Sequence, residues 1–273
     1  MNLLLLTTTA AVGLAMLWIA QNVALWYVGE SLAWPLRYRT KNPIVRWTGR
    51  AMIQVTWVLL LVCFPWLIGT DPISYFARAY PTPPPWGSMC AGFLIMFGVG
   101  LTFFLGEWSA GWVRIHVRVP ARRFLSKFLR RPLTAVALPV MEESVFRGVV
   151  LEQLLVALPS SRLGQGLAVS MSGAIFSSVH FLRARHAGAP LWRPAWGLFL
   201  VGCVLGAIYV HFDRTLWLAI AIHAGAILLC EWSRLLYVYQ APPWLIGYPE
   251  CPQSGVIGST GMILVGAIVL WFH

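Results

Sequence analysis

PLTAVALPVMEESVFRGVVLEQLLVA, residues 132–157, is long and apolar enough to cross a bilayer, yet it carries Glu142, Glu143 and Arg147 within six residues. A charge at the centre of a membrane helix costs on the order of 2.5 to 3.5 kcal/mol on insertion scales, so three together require compensation. Part of it is local, because Glu143 precedes Arg147 by four residues, the favourable order for an ion pair on one helical face. Helix geometry turns Glu142 about 100 degrees away from that pair. A carboxylate beside water can take a proton from it. Pro139, three residues earlier, deprives the carbonyl of Ala135 of its helical donor, which favours a kink and a place for water.

The rest of the chain has the same character. Of its 273 residues 59% are hydrophobic and 11% charged, against about a quarter charged in ordinary soluble domains. With roughly 20 residues needed per span, eight runs qualify: 3–28, 50–69, 87–106, 132–157, 163–182, 195–211, 214–231 and 256–272. None alternates with period two, so an all-α, multi-pass transmembrane helix bundle is expected rather than a barrel. No stretch is left for a separate soluble domain. Residues 1–28 lack the basic start of a signal peptide and are read as a span.

A net charge of +11 invites nucleic acid, but the basic residues sit in alternate loops. Arg37, Arg39, Lys41, Arg46 and Arg50 lie in the first; Arg114, Arg118, Arg122, Arg123, Lys127, Arg130 and Arg131 in the third; Arg183, Arg185 and Arg193 in the fifth; Arg234 in the seventh. The other loops hold only Arg78, Arg162 and Arg214. This pattern predicts a cell-membrane protein with basic loops in the cytoplasm and both termini outside, in a bacterial inner membrane, with no nucleic-acid partner. Residues 107–131 mix Trp108, Trp112, Phe124 and Phe128 with seven basic residues, which predicts an interfacial amphipathic helix before the fourth span.

Smaller features fit a bundle. Trp34, Trp86, Trp108, Trp192, Trp217, Trp232 and Trp244 fall near span ends, as an interfacial belt requires. The segments YPTPPPW (80–86) and APPWLIGYPECP (241–252) predict stiff extended loops. Cys63, Cys90, Cys203, Cys230 and Cys251 form no CxxC and read as small apolar residues. Gly202 and Gly206 form a GxxxG, read as close helix packing.

Among the histidines, His116, His186 and His273 fall in loops or at the end, and His211 at a span boundary. His180, in FSSVH, and His223, in HAGAI, fall within spans. Glu142 lies roughly 15 Å into its span at 1.5 Å per residue, and His223 at a similar depth in its own. The three can share a cavity open to the cytoplasmic side. A glutamate with a neighbouring histidine can deprotonate water for attack on an amide while a second histidine donates to the oxyanion. Other protease signatures are absent: there is no HExxH, GxSG or GxGD, and Asp71 and Asp213 are the only aspartates.

Glu142-Glu143-Ser-Val-Phe-Arg147 matches EExxxR, Phe176-Ser-Ser-Val-His180 matches FxxxH, and His223 in LWLAIAIHAG matches a third motif. On these residues the chain resembles the CAAX protease and bacteriocin-processing (CPBP, Abi) family of intramembrane endopeptidases and is similar to its type II CAAX prenyl endopeptidases. The resemblance spans about 132–231, and implies a catalytic core there, flanked by N-terminal spans with basic loops (1–131) and by a proline-rich loop with a last span (232–273). It implies that Glu142 and His180 activate water, that His223 stabilises the oxyanion, that Glu143 and Arg147 form a structural ion pair, and that Phe176 supports its motif. The expected substrate is a membrane-associated peptide or protein, prenylated or not.

One position departs from the pattern. The third motif usually has Asn or Asp four residues after its histidine, and this chain has Ile227. Losing one oxyanion donor costs about a hundred- to a thousand-fold in turnover, so a non-catalytic protein of this fold, such as a bacteriocin self-immunity factor or scaffold, is the alternative reading. A proton-coupled transporter would also bury Glu and His, but duplicated halves with broken helices are not found. A metal-free glutamate mechanism is favoured over zinc; the family's metalloprotease label would place such an ion on Glu142, His180 and His223.

Overall fold

Backbone polar groups in lipid must find partners within their own segment, and the apolar runs accordingly fold as helices. The computed structural model describes residues 2–32, 42–117, 120–183, 192–248 and 251–271, without the side chains of Ala121, Arg123, 181–183, Trp192 and Arg193. Trp34, Arg37, Arg39, Lys41, Arg118, Arg185, His186 and His273 lie outside the described residues.

In chain order the elements are α1 (Asn2–Tyr27), α2 (Pro43–Val58), α3 (Phe64–Leu67), α4 (Pro72–Phe76), α5 (Trp86–Ser109), β1 (Val113–Ile115), α6 (Ala121–Glu143), α7 (Glu152–Ala157), α8 (Arg162–Arg183), α9 (Trp192–His211), α10 (Trp217–Leu236), β2 (Tyr237–Tyr239), α11 (Pro243–Ile246) and α12 (Val256–Trp271). A π-helical turn, Leu59–Cys63, joins α2 to α3, and a π-helical stretch, Ser144–Leu151, joins α6 to α7, making a continuous rod from 121 to 157. The fold is all-α, apart from one two-stranded ribbon among the described residues. Among the described residues, five helical spans are long and apolar enough to cross a membrane: Asn2–Tyr27, Pro43–Leu67, Trp86–Ser109, Pro194–His211 and Trp217–Leu236. The other three expected spans correspond to the rod 121–157, to α8 and to the 16-residue α12, which are more polar or shorter.

Exposure follows the same logic. Leu14, Val23, Leu94, Leu133, Val136 and Ile263 point outward, while Glu142, Glu143, Arg147, Gln153 and His223 are buried. That inversion suits a lipid-facing exterior, because lipid solvates apolar side chains and offers nothing to charges. Trp86, Trp108 and Trp244 are exposed near helix ends. Trp217 and Trp232 instead pack inward: Trp217 Nε1 donates to the Pro81 carbonyl at 3.0 Å, and Trp232 stacks on Phe128 with ring centroids 4.4 Å apart. All five cysteines are free thiols.

Small residues set the helix contacts. A Cβ on Gly202 would stand 2.6 Å from the Gly173 Cα, so α8 and α9 touch backbone to backbone, antiparallel, with Ser177 Oγ donating to the Ala195 carbonyl at 2.9 Å. Gly202 thus serves packing within the chain. α5 and α10 run parallel: Gly92 abuts Leu218 and Ile222, Met96 abuts Gly225, and Gly100 abuts Leu229.

Two expectations need correction. Residues 107–131 do not make one interfacial helix. The Trp112 N–H bonds to the Glu107 carbonyl and the Gly111 N–H to that of Trp108, with Gly111 at φ 73, the glycine turn that closes α5. β1 follows, and from Ala121 the basic stretch forms the first turns of α6. Nor is 241–252 simply extended. It holds α11, turns at Gly247 with φ 79, and buries Ile246 and Cys251 against the bundle, where Gly197 leaves room for the Gln253 carbonyl. The 80–86 loop is pinned to the start of α10 by the Trp217–Pro81 bond, and immediately before both segments the Leu216 N–H donates to the Ala79 carbonyl at 2.8 Å.

Gly202→Ala forces α8 and α9 apart and is expected to cost about 1–3 kcal/mol by overpacking. Gly106→Ala meets nothing within 4 Å and is expected to be neutral or to gain up to about 1 kcal/mol from helix propensity. Tryptophan-fluorescence unfolding of the detergent-solubilised protein compares them, and equal stabilities would contradict the close crossing.

Candidate active site

Three elements supply the site: the end of α6, the latter half of α8 and the middle of α10. The π-helical stretch begins immediately after Glu143, and such widened turns recur at functional sites because they rotate the following side chains. Ser144 closes its first turn. Its hydroxyl donates to the Val140 carbonyl at 2.5 Å and shares a 2.5 Å hydrogen bond with Tyr80 OH from the loop before α5.

The expected ion pair forms, with Arg147 Nη1 3.1 Å from Glu143 Oε1 and both side chains essentially fully buried. Arg147 Nη2 also donates to the Gly202 carbonyl at 3.2 Å, and its guanidinium lies over the Phe176 ring, 4.9 Å from the centroid. Phe176 therefore belongs to the same packing unit, edge-on to Phe146 and 4.4 Å, centroid to centroid, from His180.

Glu143 does more than the sequence reading assigned to it. Its Oε1 lies 2.7 Å from His223 Nδ1. With Glu143 ionised, Nδ1–H is the donor, which leaves Nε2 on the opposite edge of the ring. His180 is set the same way by a different acceptor: its Nδ1 donates to the Phe176 carbonyl at 2.8 Å, one helical turn back. The only sequence signal for the Glu143–His223 bond was the doubled glutamate, read as half ion pair and half catalyst.

The two Nε2 atoms then face one carboxylate. His180 Nε2 is 3.7 Å from Glu142 Oε1, and His223 Nε2 is 3.7 Å from Glu142 Oε2. Glu142 is 3% exposed and His223 7%, whereas the His180 side chain is 23% exposed and forms the accessible edge. The structure thus brings together Glu142, Glu143, Arg147, Phe176, His180 and His223, while His116 and His211 lie elsewhere. Among the described residues no group of three His, Cys, Asp or Glu side chains is arranged to hold a metal ion.

A cavity of about 300 Å³ opens from this cluster. One stripe of α10 lines it, His223, Ala226, Ile227, Cys230 and Arg234, at the three- and four-residue spacing of a single helical face. Ile227 is therefore on the cavity wall one turn from His223, where the sequence departs from the expected Asn or Asp. Met96, Phe103, Leu198, Val201 and Met262 complete an apolar middle, and Glu107, Glu231, Arg234, Tyr237 and Tyr239 form a polar end. There Glu231 pairs with Arg131 and, at 2.6 Å, with Arg234, tying α6 to α10. Burial pushes the phenols of Tyr237 and Tyr239 well above the ordinary tyrosine range, so both remain neutral hydrogen-bonding groups.

Glu152 anchors a second polar cluster at the other end of the rod, accepting from Tyr209 OH at 2.8 Å and Arg214 Nη1 at 3.2 Å. It is closed on itself and does not line the cavity.

Arg147→Ala leaves the Glu143 carboxylate buried with one cation fewer, a loss expected to cost about 3–5 kcal/mol. Size-exclusion chromatography should show a collapse in monodisperse yield, and normal accumulation would mean that this pair does not hold the fold.

The family model for type II CAAX prenyl endopeptidase Rce1-like proteins matches residues 124–229, less than half of the chain but all of the site residues. The resemblance carried by the three motifs is thereby shown. No curated protein and no solved structure matches the chain.

Proposed function

We propose that this chain is an intramembrane endopeptidase that hydrolyses a peptide bond in a membrane-associated protein or peptide. The observation that carries the reading is the pair of 3.7 Å separations between Glu142 and the two Nε2 atoms, one to each carboxylate oxygen, at the head of a cavity. Atoms at that separation are too far apart for a direct hydrogen bond and can both reach one water lying beside them. Glu142 takes a proton from this water as its oxygen attacks the scissile carbonyl, and His180, its Nδ1–H committed to Phe176, offers Nε2 to orient the same water.

The tetrahedral oxygen then needs donors. His223 can donate through Nε2 only when doubly protonated, because Nδ1–H is directed at Glu143. The buried carboxylate of Glu143 fixes the orientation of that ring, as the acid of a catalytic triad does for its histidine. Collapse of the intermediate breaks the C–N bond, the proton held by Glu142 passes to the leaving amine nitrogen, and the new carboxylic acid gives its remaining proton to the amine as the two products depart as carboxylate and ammonium. The chemistry uses no metal and is reached through the cavity from the face of the membrane carrying the basic loops, which we take as cytoplasmic. The similarity to type II CAAX prenyl endopeptidases supports a CAAX-type intramembrane protease fold.

In membranes expressing the full chain, Glu142→Ala and His180→Ala are each expected to abolish peptide release while leaving protein level unchanged; release that persists in both would refute the mechanism. Ile227→Asn adds a donor on the cavity wall and is expected to raise kcat by about tenfold or more, within the range one oxyanion donor supplies. An unchanged kcat would place the oxyanion away from residue 227. Preincubation with 1,10-phenanthroline should leave turnover intact; inhibition reversed by added zinc would replace the metal-free route.

A further inference from the structure

The polar end of the cavity is built on a strand. α10 ends at Leu236, and Tyr237–Tyr239 pair antiparallel with Val113–Ile115. Two flanking bonds fix the phase of this ribbon: the His116 N–H donates to the Leu236 carbonyl at 2.6 Å, and the Gln240 N–H to that of Trp112 at 2.8 Å. In an antiparallel ladder bonded and non-bonded pairs alternate. Arg114 and Val238 are then the bonded pair between them, and the backbone groups of Tyr237 and Tyr239 point out of the ribbon.

The Tyr237 N–H is used by the helix, donating to the Ser233 carbonyl. This leaves the N–H and C=O of Tyr239 and the C=O of Tyr237 along the outer edge of β2, which no third strand covers among the described residues. Natural proteins usually blunt or cover such an edge because it templates the pairing of another chain. Here the edge adjoins the cavity that reaches Glu142 and His223, since Tyr237 and Tyr239 are both among its lining residues.

We propose that the outer edge of β2 captures the polypeptide substrate as a third, extended strand and feeds it into the cavity. The proposal rests on the reading that the cavity takes a peptide. Strand addition supplies affinity through main-chain hydrogen bonds, leaving side-chain preference to the cavity wall. It also suits hydrolysis, because an intact helix has no free backbone donors to offer and an extended segment exposes its carbonyls. From His223 to Tyr237 is 14 residues of α10, roughly 21 Å at 1.5 Å per residue. An extended chain at about 3.3–3.6 Å per residue covers that distance in about six residues. A substrate therefore needs about six residues between the bond that is cut and the segment paired to β2.

The test is anisotropy titration of a fluorescein-labelled (Val-Ser)5 decapeptide with full-length Glu142→Gln protein in detergent micelles, where turnover does not consume the probe. N-methylation of three successive central residues removes donors facing either edge and is expected to weaken binding at least tenfold. Proline is tolerated where its missing N–H faces outward from an edge strand. Tyr239→Pro should therefore bind the unmethylated peptide about fivefold more weakly than Tyr239→Ala, which lacks the same side chain but keeps the donor. Should Tyr239→Pro not accumulate, the methylated peptide alone decides. Equal Kd values for the two peptides, equal Kd values for the two variants, or no binding of the unmethylated peptide would overturn the proposal. Failure of the hydrolase reading looks different: wild-type protein would bind the peptide with the same backbone dependence and leave it intact.

Discussion

One buried carboxylate organises this molecule. Glu143 Oε1 accepts from Arg147 and from His223 at once, and Arg147 passes the constraint on to the Gly202 carbonyl and the Phe176 ring. Four helices, α6, α8, α9 and α10, therefore meet on a single glutamate–arginine pair. Such a pair costs much to bury and more to break, so it specifies one arrangement of the bundle rather than adding general stability. Its satisfaction is incomplete: Glu143 Oε2 and Arg147 Nε are buried without a partner among the described residues.

The catalytic candidates inherit their orientation from this pair. Glu143 holds the His223 ring so that Nε2 faces Glu142. Phe176, wedged under the guanidinium, offers its carbonyl to His180 and turns that ring the same way. Two imidazoles from neighbouring helices face the two oxygens of Glu142. The π-helical stretch follows directly, held by the Ser144–Tyr80 contact, so that the loop before α5 reaches the back of the site.

The cavity gives this arrangement a direction. Its middle is apolar and its far end polar, with an ion-pair network of Arg131, Glu231 and Arg234 beside two neutral phenols. An occupant with an apolar portion near Glu142 and a polar or main-chain portion near β2 matches that gradient. Ile227 faces the same space and lowers its polarity close to His223.

Composition and patterning were enough to specify helices in a bilayer, because lipid leaves a spanning segment no other way to satisfy its backbone and each span must be apolar over its own length. The Glu143–Arg147 pair was legible for the same reason, being local to one helix. Glu142, His180 and His223 could be singled out because a charge or imidazole inside a span is costly wherever it points. Where they pointed was not legible. The convergence on Glu142, the capture of His223 by Glu143, the π-helical stretch, the packed 241–255 segment and the ribbon joining 113–115 to 237–239 all depend on contacts between residues far apart in the chain. Hydropathy and spacing record the solvent around each segment. Only tertiary packing, through the close approach at Gly173 and Gly202 and the shared carboxylate of Glu143, decides which side chains meet.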